Sequence, residues 1–133
     1  MTDLRFRGAD GLKAALSRSL LALAAMRLVP ADHSRLAIMI EELLANLFEH
    51  GRTEPDSVIV LRLARYPDHV QLVLEDGGPA FHPASADPDA PIPERGGGAG
   101  LALVRAWAEH LSYATEPELN RLELRYSLAR PAD

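Results

Sequence analysis

The chain has no cysteine, so a disulfide framework and a thiolate nucleophile are both excluded. Histidines and carboxylates remain as metal ligands. Lysine is almost absent: Lys13 is the only one, and the rest of the basic side chains are arginines. A Walker-type phosphate loop needs a lysine after its glycines, and none is available here. No apolar run approaches the roughly 20 residues of a membrane-spanning helix. The first residues, MTDLRFRGAD, have no continuous apolar stretch and do not resemble a signal peptide. The expected location is therefore the cytoplasm, with no membrane contact. Positive charge is not in excess either. A formal net charge of −5 argues against direct nucleic-acid binding, which depends on a basic surface.

What is present is ordinary globular composition. The chain has 133 residues, of which 47% are hydrophobic and 25% charged. That suits one domain with a real core, spanning residues 1–133, with 129–133 expected to be a disordered tail.

Leu4–Arg7 read as a short strand. Asp10 is a plausible cap for a helix over Gly11–Leu28, whose face is marked by Leu12, Leu16, Leu20, Leu23 and Arg27. Pro30-Ala31-Asp32 breaks the pattern, and Asp32 can cap a second helix that runs to about His50, with Gly51 as its stop. Ser57–Arg65 and Val70–Glu75, joined by Tyr66-Pro67-Asp68-His69, read as a hairpin. Gly77–Gly100 is one long loop rich in proline and glycine, and such a loop in a compact domain is usually functional or disordered. Leu101–Leu111 resume a helical pattern. Leu111–Thr115 and Arg121–Leu128 finish as strands around a Glu116–Asn120 turn. The order β-α-α-β-β-loop-α-β-β predicts an α+β fold: a two-layer sandwich of a mixed, mostly antiparallel sheet covered on one face by about three helices.

Three segments carry chemistry. On a wheel of about 100° per residue, Leu36, Ile40, Leu43 and Leu47 form the core face of the second helix. Met39, Glu42, Asn46 and His50 line one edge of it, and Glu41 falls on the other. Glu42 and Asn46 are an i,i+4 pair sharing a direction. The asparagine carbonyl is a hard ligand suited to Mg²⁺, and the carboxylate could orient or deprotonate a nucleophile. By itself this is also the pattern of an amphipathic helix with polar borders.

The second segment is Leu72-Val73-Leu74, which ends at Asp76-Gly77-Gly78-Pro79. A carboxylate at a strand end can accept from an exocyclic amine such as that of adenine, and Gly78 would let backbone approach a flat ring. Phe81 could pack near that ring or simply close the core. The same residues are strong turn signals. The third segment is Gly96-Gly97-Gly98-Ala99-Gly100, which leads into a helix beginning at Leu101. Free N–H groups at a helix start suit a phosphate. The dinucleotide fingerprint fails, because Leu101 and Leu103 stand where its last glycine or alanine is required. A flexible linker has the same composition.

In this order and spacing the motifs resemble the GHKL (Bergerat-fold) superfamily of ATP-binding domains, which includes histidine kinases, gyrase B and MutL. Its N box, Asp-x-Gly box, lid and Gly-x-Gly box correspond to Glu42…Asn46, Asp76-Gly77-Gly78, Gly77–Arg95 and Gly98-Ala99-Gly100. Within it the chain is most similar to the stand-alone anti-sigma factor/serine-protein kinases of bacterial partner switching. Those carry a Glu four residues before the Asn, an Asn-x-x-x-His-Gly ending and a Gly-Leu-x-Leu-Val segment. This chain has Glu42, Asn46, His50-Gly51 and Gly100-Leu101-Ala102-Leu103-Val104.

The resemblance implies ATP and Mg²⁺ as cofactors, with Asn46 coordinating the metal. Glu42 would be the general base toward a serine, Asp76 the adenine reader, and Gly98–Leu101 the phosphate cradle. His50, Gly78, Phe81, Gly96 and Gly97 complete the expected nucleotide site, and Arg95 is the expected phosphate contact from the lid. The implied partners are an anti-anti-sigma (STAS-type) substrate and a sigma factor, and a homodimer is expected. The competing reading is a nucleotide-binding anti-sigma or regulatory module without catalysis. A third, the ATPase domain of a sensor histidine kinase, needs a phosphoacceptor histidine upstream, where His33 is the sole histidine before Leu36.

Overall fold

The computed structural model describes residues 1–50, 54–77, 98–116 and 119–129. The elements run β1 (Thr2–Arg7), α1 (Gly11–Ala24), α2 (Pro30–Ala45), β2 (Val58–Arg65), β3 (His69–Asp76), α3 (Gly98–Trp107), β4 (Ser112–Glu116) and β5 (Leu119–Ser127). The strands form one sheet in the order β1-β2-β3-β5-β4. The expected α+β sandwich of a five-stranded sheet and three helices is what forms. Its sheet is not mixed, however: every pairing among the described residues is antiparallel.

Alternation decides which face of the sheet is buried. Ile59, Leu61 and Leu63 of β2, Val70, Leu72 and Leu74 of β3, and Leu122, Leu124 and Tyr126 of β5 all face the core. They meet Leu36, Met39, Ile40, Leu43 and Leu47 from α2 and its extension, Leu23 from α1 and Val104 from α3 in one cluster. The opposite face mixes Val60, Ala64 and Val73 with charged and polar side chains. There Arg62 bridges Asp3 and Glu75, and Gln71 donates to Glu123. β2 and β3 form the expected hairpin, closed by the Tyr66 N–H donating to the His69 carbonyl at 2.8 Å.

Several local expectations are corrected. α1 ends at Ala24, not Leu28, because Arg27 takes a positive φ of 53°. That left-handed residue, uncommon for a side chain with a Cβ, ends the helix without the usual glycine. The buried stripe of α1 is Ala15, Ser19 and Leu23, with Leu12, Leu16 and Leu20 packed beside it and Arg27 outside the helix. Asp10 does not cap α1; its carboxylate accepts from the Arg7 N–H at 2.7 Å.

α2 starts at Pro30, a position where no amide hydrogen is needed. Asp32 therefore lies inside the first turn and is not the cap. It is 1% exposed and accepts from the Tyr126 hydroxyl at 2.7 Å and from the Ala129 N–H at 3.0 Å. This clamp joins the start of α2 to the end of β5. Finally, α3 begins at Gly98, three residues before the expected Leu101. Its first turn is therefore made of the glycines themselves.

Candidate functional site

The end of α2 departs from regular α-geometry. Asn46–His50 wind as a single π-turn. Such wide turns inside or at the end of α-helices are frequent at functional sites, because they re-aim side chains that a regular helix would leave in register. Asn46 opens this turn and is 5% exposed. Its Nδ2 donates to the Glu42 carbonyl, one turn earlier, at 2.9 Å. With the NH₂ group engaged by the helix, the carbonyl oxygen is the part of the amide turned to other uses. A neutral oxygen of this kind is a hard ligand, and the donor chemistry fits Mg²⁺. Among the described residues no group of three or more His, Cys, Asp or Glu could hold a metal ion.

Glu42 is partly buried on the border of the core face. Burial raises its pKa above the ordinary glutamate value, and Glu41 and Glu49 raise it further by like-charge repulsion. A carboxylate pushed in this direction moves toward the range useful to a general base.

Asp76 ends β3 on the core side of the sheet and is 7% exposed. Opposite it in register stands Asn120 of β5, 3% exposed, whose Nδ2 donates to Asp76 Oδ1 at 3.2 Å. The sequence predicts a turn over Glu116–Asn120. β5 in fact starts at Leu119, so the residue belongs to the sheet. A polar residue two positions before the alternating Leu122-Leu124-Tyr126 stripe was the available signal.

The two pairs, Glu42 with Asn46 and Asp76 with Asn120, border one apolar layer. Leu43 and Leu47 flank Asn46, Leu74 lies two residues before Asp76 on the same face, and Leu122 lies two residues after Asn120. All four leucines belong to the same buried cluster. α3 packs on α2, so its glycine-bearing first turn, Gly98-Ala99-Gly100 with Leu101 behind it, joins the same helical layer. Gly78, Phe81, Arg95, Gly96 and Gly97 lie outside the described residues, as does the side chain of His50, the last residue of the π-turn.

A recess of about 710 Å³ opens elsewhere, at the opposite end of β3 from Asp76. Tyr66, His69, Glu109, His110 and Arg125 are among the residues that line it. It contains none of the predicted site residues. No described helix is long and apolar enough to cross a membrane.

Comparisons with known proteins bear on the family and the fold. The family model described as histidine kinase-like ATPase domain matches residues 10–126. Comparison with curated proteins gives no match. Among solved structures, the histidine kinase domain of the Erythrobacter litoralis EL346 blue-light activated histidine kinase is similar at a TM-score of 0.56 and 20% identity. The match covers 90% of this chain and 62% of that one. A structure titled for the EL346 blue-light activated histidine kinase itself gives a TM-score of 0.60 at 19% identity, and 42% of that chain is covered. The Acinetobacter baumannii histidine kinase AdeS is similar at a TM-score of 0.56 and 15% identity, over 98% of this chain and 69% of that one. At these identities the likeness is one of fold. The chain spans less than two thirds of the length of the first two.

Proposed function

Because this chain belongs to the histidine kinase-like ATPase domain family, we propose that it is an ATP- and Mg²⁺-dependent protein kinase that phosphorylates a serine on a small anti-anti-sigma-type partner and holds a sigma factor or similar regulator. The observation that carries the catalytic part is Glu42. It sits one turn before Asn46, at the border of the core, with its proton affinity raised by burial and by two neighbouring glutamates.

In this reading Asn46 offers its carbonyl oxygen to the metal that accompanies the phosphates. Asp76 accepts from the exocyclic amine of adenine. The N-terminal turn of α3 supplies N–H groups that no side chain shields at Gly98 and Gly100. Bound Mg²⁺ supplies charge neutralisation on the transferring phosphoryl group. Glu42 takes the proton of the attacking serine hydroxyl. The experiment is transfer of labelled γ-phosphate to a purified candidate partner, with Glu42→Gln alongside. Transfer that Glu42→Gln leaves undiminished overturns the role of Glu42, and no transfer to a confirmed binding partner overturns the kinase.

One alternative has an observation of its own. The similar solved structures are histidine kinases, which favours an ATP-binding domain that phosphorylates a histidine. Acid lability of the phosphorylated product separates the two readings, since phosphohistidine is lost in acid and phosphoserine is kept.

A further inference from the structure

Asn120 stands out among the buried polar residues because nothing in the strand pattern requires it. The core-facing positions that follow it on β5 are Leu122, Leu124 and Tyr126. An apolar residue at 120 would continue that stripe. Instead an amide is buried at 3% exposure, directly opposite Asp76 in the β3–β5 register. Burying an amide and a carboxylate is costly unless each finds a partner, and these two find one another at 3.2 Å.

We propose that Asn120 is a positioning residue for base recognition: its amide holds the Asp76 carboxylate in the plane and acceptor state that favour a nucleobase bearing an exocyclic amine. This rests on the nucleotide reading of the site given above. The physical argument has two parts. First, Asp76 is the last residue of β3 and is followed by Gly77, so its side chain sits where the strand no longer constrains it from beyond. A bond from the neighbouring strand, itself rigid through its pairing with both β3 and β4, restores that constraint.

Second, the Asn120 Nδ2 group can only donate, so it favours the carboxylate as acceptor over a protonated Asp76 that would donate. A fixed acceptor rewards an amine and penalises a base that presents a carbonyl, or nothing, at that position. Asn120 therefore acts through Asp76, and its contribution is to discrimination between bases more than to the hold on the phosphates.

The test measures binding of ATP, of GTP and of the purine riboside triphosphate that lacks the exocyclic amine. Titration calorimetry would use the full chain with Mg²⁺ present. Asn120→Leu removes the donor while continuing the apolar stripe, and Asn120→Ala removes it with less bulk. Circular dichroism checks that each is folded. The unaltered protein is expected to favour ATP over the amine-lacking analogue at least tenfold. Both variants should lose affinity for ATP severalfold while holding the analogue nearly as before, so the ratio collapses. A purely structural residue would weaken both ligands together and leave the ratio intact.

Equal discrimination by a folded variant and the unaltered protein overturns the role of Asn120 alone. An unaltered protein that binds ATP and the analogue equally overturns base reading by Asp76, and the inference with it.

Discussion

Replacing Asp32 with alanine is the severest single test of how the two layers are joined. The carboxylate is 1% exposed and holds two donors: the Tyr126 hydroxyl at 2.7 Å, fully inside, and the Ala129 N–H at 3.0 Å, nearer the surface. On the same helix, the Arg35 guanidinium lies 5.6 Å from the Trp107 ring centroid at the end of α3. The Asp32 side chain thus ties the start of α2 to β5 and the residues that follow it. Bonds to a carboxylate contribute roughly 1.5–3 kcal/mol each. Water can reach the Ala129 N–H once the carboxylate is gone, so that term is discounted to about 1 kcal/mol. The Tyr126 hydroxyl loses its acceptor in a dry environment, a cost of about 2 kcal/mol.

The expected loss for Asp32→Ala is therefore about 3 kcal/mol. At a urea slope of about 2 kcal/mol/M, the unfolding midpoint should fall by about 1.5 M with the slope unchanged. Tyr126→Phe removes only the first bond and should cost about 1–2 kcal/mol. The double variant should be less destabilised than the sum of the two singles, because both remove the same bond. A fall in midpoint under about 0.3 M for Asp32→Ala, or strict additivity in the cycle, would refute the clamp.

Three further outcomes are expected, each read by equilibrium unfolding. Glu42→Gln should stabilise the nucleotide-free protein at pH 7, by less than about 1 kcal/mol because the group is partly solvated. Its raised pKa means that ionisation opposes folding, so the gain should shrink as pH falls through the folded value and vanish below the unfolded one. A destabilised variant would contradict the assigned strain. Asp68 behaves in the opposite sense: its hydrogen bond with His69, 2.6 Å away, lowers its pKa. The stability it adds is present above the unfolded value and disappears as pH falls through the folded value. Asp68→Asn should therefore be the less stable protein at pH 6, and the difference should close as pH falls through the folded value. Tyr126 is raised, first by burial and next by its bond to Asp32. Its contribution should hold below the ordinary tyrosine value of about 10 and be lost above it, and Tyr126→Phe should flatten that alkaline limb.

Periodicity made the layers legible. The apolar stripe on α2 and the alternation on β2, β3 and β5 sorted core from surface, and those strands form within one or two residues of their expected bounds. The helix ends resisted for identifiable reasons. Arg27 ends α1 in a conformation usually left to glycine, so no residue type announces it. Asp32 has the identity of a cap, and Pro30 two residues earlier takes over the helix start. The glycines before Leu101 read as a loop because glycine is a poor helix former, yet Gly98 and Gly100 begin α3. A composition rule places such residues outside the helix.

The candidate site is more legible in the sequence than its surroundings. Pattern reading works by treating polar residues as surface, so its informative failures are polar residues that end up inside. Among the described residues these are Ser19, Asp32, Asn46, Asp76 and Asn120. Ser19 returns its hydroxyl to the Ala15 carbonyl and needs no partner beyond its own helix. Asp32 serves the clamp. Motif spacing, not periodicity, singles out Asn46 and Asp76. Asn120 belongs to no motif and was visible only once β5 was laid beside β3. Two of the three buried polar residues at the candidate site are therefore sequence-encoded as motifs, and the third is encoded by register alone. A substitution that shifts the β5 register by one residue would leave every motif intact in the sequence, turn Asn120 to the outer face and remove the partner of Asp76.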